Sequence, residues 1–115
     1  MSRPSRLRAS VVVVTKDRPG MLAGLLASLA IQSLAPDEVV VVDNNSTLSY
    51  DAVFDEYRGR LPLRTVVERV PGIPAARNRG IAEATGDIIL FTDDDCRVEP
   101  DWAVVVLLRE FASVP

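Results

Sequence analysis

Ser10-Val11-Val12-Val13-Val14-Thr15 is the stretch that decides the fold. Four consecutive β-branched residues with no polar alternation suit a strand covered on both faces, as in a parallel sheet. Arg18-Pro19-Gly20 breaks the run. Beyond it Met21, Leu22, Leu25, Leu26, Leu29 and Ile31 recur at helical spacing as far as Gln32, with Pro19 suited to a helix start.

The same alternation continues outward. Ala35-Pro36-Asp37 is a turn, and Glu38 to Val42 reads as a second strand ending at Asp43. Asn44-Asn45-Ser46-Thr47 is turn-rich and offers helix caps. Tyr50, Val53, Phe54 and Tyr57 then keep helical spacing up to Gly59. Leu63 to Val67 is a less continuous strand, expected at a sheet edge. Pro71-Gly72-Ile73-Pro74 leads into a helix from about Ala75 to Ala84, stopped by Gly86. A fourth strand, Asp87 to Thr92, runs into Asp93-Asp94-Asp95, and Pro100 opens a last helix that carries Trp102 towards Phe111. The order βαβαβαβα predicts a Rossmann-like α/β fold, a mainly parallel sheet with helices on both faces. Right-handed crossovers favour the strand order 3-2-1-4, with the winding reversed between strands 1 and 4. Ligands in such sheets bind outside the carboxyl ends of the strands at that reversal. Those ends are Thr15-Lys16-Asp17, Asp43-Asn44 and the three aspartates.

Bulk properties narrow the function classes. A length of 115 residues suits one domain, here residues 10–115 behind a basic tail, 1–9, containing Arg3, Arg6 and Arg8. A solvated chain end accounts for the tail, and attraction to an anionic membrane face is the other reading. The net charge of −3 argues against nucleic acid as partner. Cys96 is the sole cysteine, so no intrachain disulfide forms, which fits a cytoplasmic protein. Histidine is absent, so a metal must be held mainly by oxygen. The apolar stretch from Trp102 to Leu108 is too short to span a bilayer.

Asp93-Asp94-Asp95 carries the strongest chemical signal. Adjacent carboxylates repel one another, and a hard divalent cation such as Mg²⁺ or Mn²⁺ removes that cost. Such an ion typically takes one or two carboxylates and fills its other positions with phosphate and water, neutralising a pyrophosphate as it departs. Successive extended residues point in opposite directions, so the three cannot all meet one ion. A solvated acidic turn capping the next helix is the plainer alternative. Asp43 and Asn44 face the same crevice, whereas Asn45 and Ser46 suit turn and cap duty. Lys16 or Arg18 could meet phosphate. Arg77 could complement a pyrophosphate, on a helix whose small residues permit close approach. A Gly-x-Gly-x-x-Gly fingerprint after the first strand and a phosphate-cradling Gly-Lys-Ser/Thr loop are both missing.

Together these segments resemble family 2 glycosyltransferases of the GT-A fold, from about Ser10 to Trp102. Val-Val-Val-Thr-Lys-Asp-Arg-Pro resembles the family's opening strand and loop. Asp37 to Thr47 resembles its Glu-Val-Ile-Val-Val-Asp-Asp-Gly-Ser-Thr stretch, Gly72 to Ile81 its helix before strand 4, and Thr85 to Asp95 its Gly-Glu-Tyr-Ile plus Asp-x-Asp (DXD) segment. Pro100-Asp-Trp102 follows the pattern too. The resemblance implies a nucleoside-diphosphate sugar of UDP, dTDP or GDP type as donor, Mn²⁺ or Mg²⁺ as cofactor, and transfer to an acceptor hydroxyl. By position it puts Thr15, Asp17, Asp43 and Asn44 around the nucleoside, with Asp43 or Asn44 nearest the base. Arg77 lies nearby, Asp93 is on the ribose, and Asp94 or Asp95 is on the metal. Lys16 and Asp17 replace the usual Tyr-Asn, and Asn44 stands where a second Asp often contacts uracil. The acceptor site and the general base are expected outside these residues, the chain corresponding to a donor half truncated before the acceptor-binding part. Such a half is expected to bind donor without turnover and to self-associate through an exposed sheet edge. A non-catalytic nucleotide-binding module is the alternative. A phospho-receiver-like domain fits less well, because it needs its acidic pair after strand 1.

Overall fold

The computed structural model describes residues 8–103. Its elements are β1 (Ala9–Thr15), α1 (Pro19–Ala30), β2 (Glu38–Asp43), α2 (Asp51–Tyr57), β3 (Leu63–Val67), α3 (Ile73–Glu83) and β4 (Ile88–Asp93). The sheet runs β3-β2-β1-β4, and all three pairings are parallel. Strand order, the edge position of β3 and the central place of the valine run agree with the sequence. Boundaries differ by small amounts. β1 takes in Ala9, expected in the tail, because its N–H donates to Asp37 Oδ2 at 2.7 Å and it pairs with Ile88. α1 opens at Pro19 and α3 at Ile73, each earlier than spacing suggests, since a proline in the first turn forfeits no helical hydrogen bond. The helix expected from Pro100 towards Phe111 runs outside the described residues after Ala103.

Alternation along the valine run divides the interior in two. Val11 and Val13 face the layer of α1 and α2, packing with Leu22, Leu25, Leu26, Leu29, Tyr50 and Tyr57. Val12 faces α3 with Val40, Val42 and Ala76. The first layer is thick and leucine-filled, each buried leucine contributing about 1.5–3 kcal/mol. The second is thin. At Gly80 an added Cβ would stand 2.5 Å from Val12 Cγ1, so α3 lies almost against the strand backbone.

A polar buckle closes the amino ends of the strands. Glu38 opens β2 and is 7% exposed. Its Oε1 accepts from Ser10 Oγ at 2.9 Å and from the Thr85 N–H at 2.8 Å, while Arg64 Nε donates to Oε2 at 2.9 Å. Burial pushes the Glu38 carboxyl up. The bonds from Thr85, Arg64 and Ser10 outweigh it and leave the group below its ordinary value. The carboxyl ends of the strands are thereby left free for a different purpose.

Candidate functional site

Thr15, Asp43 and Asp93 are the last residues of β1, β2 and β4, so the fold gathers the expected polar tips at one end of the sheet. Thr15 itself is only 1% exposed. Its hydroxyl donates to Asp94 Oδ2 at 2.9 Å and lies 2.7 Å from the hydroxyl of Tyr50. With the Thr15 proton committed to the carboxylate, Tyr50 is the donor of that second bond. The Tyr50 oxygen in turn accepts the Arg18 backbone N–H at 2.9 Å. Arg18 completes the ring, its Nε donating to Asp94 Oδ2 at 3.2 Å and its Nη2 donating to Oδ1.

Asp94 is therefore an internal residue, 1% exposed and held by a forked arginine. Its neighbours on the chain turn the other way. Asp93 and Asp95 are exposed, and their carboxylates lie with the thiol of half-buried Cys96 so that the three ligand atoms are all within 4.8 Å of one another. The strand ends at Asp93, and Asp94 and Asp95 lie in the turn that follows, so the turn and not strand alternation separates them. Asp94 and Asp95, equivalent metal candidates by sequence, are thereby separated. Both oxygens of Asp94 are engaged inside the protein, whereas Asp95 opens outward beside Asp93. The two carboxylates suit a hard divalent cation that keeps further positions for phosphate or water, with the Cys96 thiol lying beside them.

The loops after β1 and β2 are clasped together. Asp17, at φ 52°, accepts from the N–H groups of Thr47 at 2.7 Å and Leu48 at 2.9 Å, and donates its own N–H to Ser46 Oγ at 2.9 Å. The Leu48 amide leads in holding the Asp17 carboxyl below the usual range. Through Oδ1 the side chain expected at the nucleoside also clasps the two loops. Asn44 is likewise committed, 4% exposed. Its Nδ2 donates to the carbonyls of Glu68 at 3.0 Å and Val70 at 2.8 Å, and its Oδ1 accepts from the Gly72 N–H at 3.0 Å. That bond orients Gly72, whose φ of 114° excludes side-chain-bearing residues without strain, at the entry to α3. Asp43 is half-buried, with Oδ1 accepting from the Ser46 N–H at 3.1 Å.

Between these tips lies a cavity of about 450 Å³ lined by Val14, Lys16, Arg18, Asn44, Pro71, Gly72 and Ile73. Arg18 thus borders the cavity and grips the middle aspartate at once. Arg77 is exposed on α3, its guanidinium 5.4 Å from the ring centre of Phe91. Phe91 shares a face of β4 with Asp93 two residues on, which sets Arg77 on the side of the outward carboxylates. Tyr50 and Cys96 are the members of this site that the sequence did not single out. Tyr50 was legible only as an apolar helix position, and Cys96 only as an unpaired thiol, although it directly follows the acidic triplet.

The chain belongs to glycosyl transferase family 2, whose family model matches residues 10–112. The sheet and its strand order are those of GT-A glycosyltransferases. Among curated relatives, the uncharacterized glycosyltransferase YwdF of Bacillus subtilis is 37% identical over 92 residues, covering 77% of this chain and 33% of its own. Among solved structures, S. aureus TarS 1–349 in complex with UDP superimposes with a TM-score of 0.78 at 30% identity, over 91% of this chain and 33% of that 1–349 chain. The mannosyltransferase PcManGT from Pyrobaculum calidifontis, in complex with GDP-Man and Mn²⁺, gives 0.79 at 28% identity, over 99% of this chain and 34% of that one. The chain spans about a third of YwdF, of the TarS 1–349 chain and of PcManGT, and 20% of the longer TarS chain.

Proposed function

We propose that this chain provides the donor site of a glycosyltransferase, binding a nucleoside-diphosphate sugar together with a divalent cation. The observation that carries the proposal is the convergence of Asp93 and Asp95 on the exposed side of the β4 tip, next to a cavity that shares Arg18 with the same triplet. Asp95 holds the cation, with Asp93 beside it accepting from a ribose hydroxyl. A bound Mn²⁺ or Mg²⁺ supplies charge neutralisation to the departing diphosphate. The nucleoside occupies the cavity at the tips of β1 and β2, where Asp43 keeps one carboxylate oxygen outside its turn bond. Lys16 and Arg77, both exposed, are the cations that meet the diphosphate. UDP in TarS, and GDP-Man with Mn²⁺ in PcManGT, support this choice of ligand. Calorimetry with UDP, dTDP and GDP tests it. Affinity is expected to rise sharply with Mn²⁺, and equal weak binding with Mn²⁺ and with a chelator refutes the assignment.

The same reading places the protein in the cytoplasm, supported by its single cysteine, with Arg3, Arg6 and Arg8 available to an anionic membrane face. Among the described residues no helix is long and apolar enough to cross a membrane. Cell fractionation distinguishes the free from the membrane-associated pool. Self-association belongs to the proposal as well, since β4 is an outer strand carrying Phe91 at 42% exposure. Light scattering is expected to show mass rising with concentration, and a monomer throughout the range refutes it.

A further inference from the structure

We propose that Arg18, with Thr15 and Tyr50, is the positioning device of the cation site, and that through Arg18 the cavity and the acidic triplet form one thermodynamic unit. This rests on the reading of Asp95 as the cation ligand, with Asp93 beside it. Three adjacent aspartates have no inherent preference for which side chain turns inward. The choice is made from outside the triplet, by Thr15 Oγ1 and the Arg18 fork closing on Asp94. With Asp94 fixed inside, the turn closed by the Cys96 N–H donating to the Asp93 carbonyl at 3.1 Å leaves Asp93 and Asp95 on the exposed side. Charge points the same way. The Arg18–Asp94 ion pair leaves two net negative charges on the triplet, the complement of a divalent cation.

The Arg18 side chain is half exposed, at 49%, while the Asp94 side chain it grips is at 2%, so Arg18 lies as a cover that also borders the cavity. A ligand in the cavity that touches Arg18 bears on the element that orients the cation ligands, and coupling between two binding equilibria is reciprocal. Tyr50 stiffens the arrangement from below. Its hydroxyl joins the Arg18 backbone to Thr15, and its ring is fixed against Phe54 with centroids 5.7 Å apart.

The test is Mn²⁺ titration of the full chain, followed by the electron paramagnetic resonance of free and bound ion, with and without UDP or GDP. Wild type is compared with Arg18→Met, Arg18→Lys and Tyr50→Phe, each held well below its own melting temperature. Arg18→Met is expected to weaken Mn²⁺ binding by about tenfold or more and to broaden the bound-ion spectrum, the size typical of losing a group that orients a metal ligand. Arg18→Lys keeps the charge without the fork and recovers part of the affinity. Tyr50→Phe loses a smaller factor. In wild type, nucleotide and Mn²⁺ strengthen each other, and this mutual gain shrinks in Arg18→Met. Should wild type bind Mn²⁺ while Arg18→Met and Arg18→Lys bind it equally tightly with an unchanged spectrum, the positioning role is overturned and the Asp95 cation site stands. Should wild type show no saturable Mn²⁺ binding, both fall.

Discussion

Gly80→Ala measures how closely α3 lies on the sheet. The added Cβ would meet Val12 Cγ1 at 2.5 Å and Val42 Cγ2 at 3.4 Å. Val12 is 1% exposed and Val42 fully buried, so neither can swing into solvent. Branching at Cβ also restricts both to few rotamers. In an open helix the same replacement stabilises by about 1 kcal/mol. Forcing a methyl into a packed core costs about 1–3 kcal/mol. The clash here falls well inside contact distance, so the upper part of that range applies and a net loss of about 1–2 kcal/mol is expected. The sign should invert when the obstacle is removed. In a Val12→Ala background Cγ1 is gone, and Gly80→Ala is expected to stabilise by up to about 1 kcal/mol. Urea unfolding of the four proteins, extrapolated linearly to water, completes the double-mutant cycle. A gain of stability from Gly80→Ala in wild type, or the same sign in both backgrounds, refutes the close approach.

Glu38→Gln addresses the buckle at the other end. A carboxyl held below its ordinary value stabilises the fold above that value, near 4.5, and loses the contribution as pH falls through the lower native one. The variant is therefore expected to be weaker at neutral pH with a shallower acid limb, and parallel limbs in pH-dependent unfolding refute this. Asn44→Asp sets carboxylate oxygen against the carbonyls of Glu68 and Val70. A loss of about 2 kcal/mol or more is expected in denaturant unfolding at neutral pH, and unchanged stability counts against the amide's role. Asp17→Ala removes the acceptor of the Thr47 and Leu48 amides. Their hydrogen exchange should accelerate by roughly tenfold while the sheet stays protected, and unaltered rates would remove the clasp.

Strand order was readable because β-branched runs and helical spacings carry period, and parallel connection then leaves few topologies. The gathering of Thr15, Asp43 and the aspartates at one end follows from the same alternation. What each side chain does there was less accessible. Strand period ends at Asp93, and which aspartate of the following turn faces in is set by Thr15 and Arg18, distant in sequence. Asp17 and Asn44 are expected around the nucleoside by resemblance, from their place after the strands. Asp17 Oδ1 and the Asn44 amide also hold the Thr47–Leu48 and Glu68–Gly72 backbones, and no local pattern announces a loop that needs such a clasp. Tyr50 shows the same limit, since spacing registers its ring and is blind to its hydroxyl.

The all-valine stretch of β1 has a consequence for how this strand tolerates change. Side by side, Val11 to Val14 are chemically interchangeable, so a slip by one residue would cost the two interiors little in oiliness while exchanging which layer each valine serves. Only the polar termini can tell the frames apart, Ser10 seated on Glu38 and Thr15 on Asp94. The strand is indexed from its ends like a key from its teeth. A single-residue deletion among the valines should prove far more damaging than swapping any one of them for isoleucine.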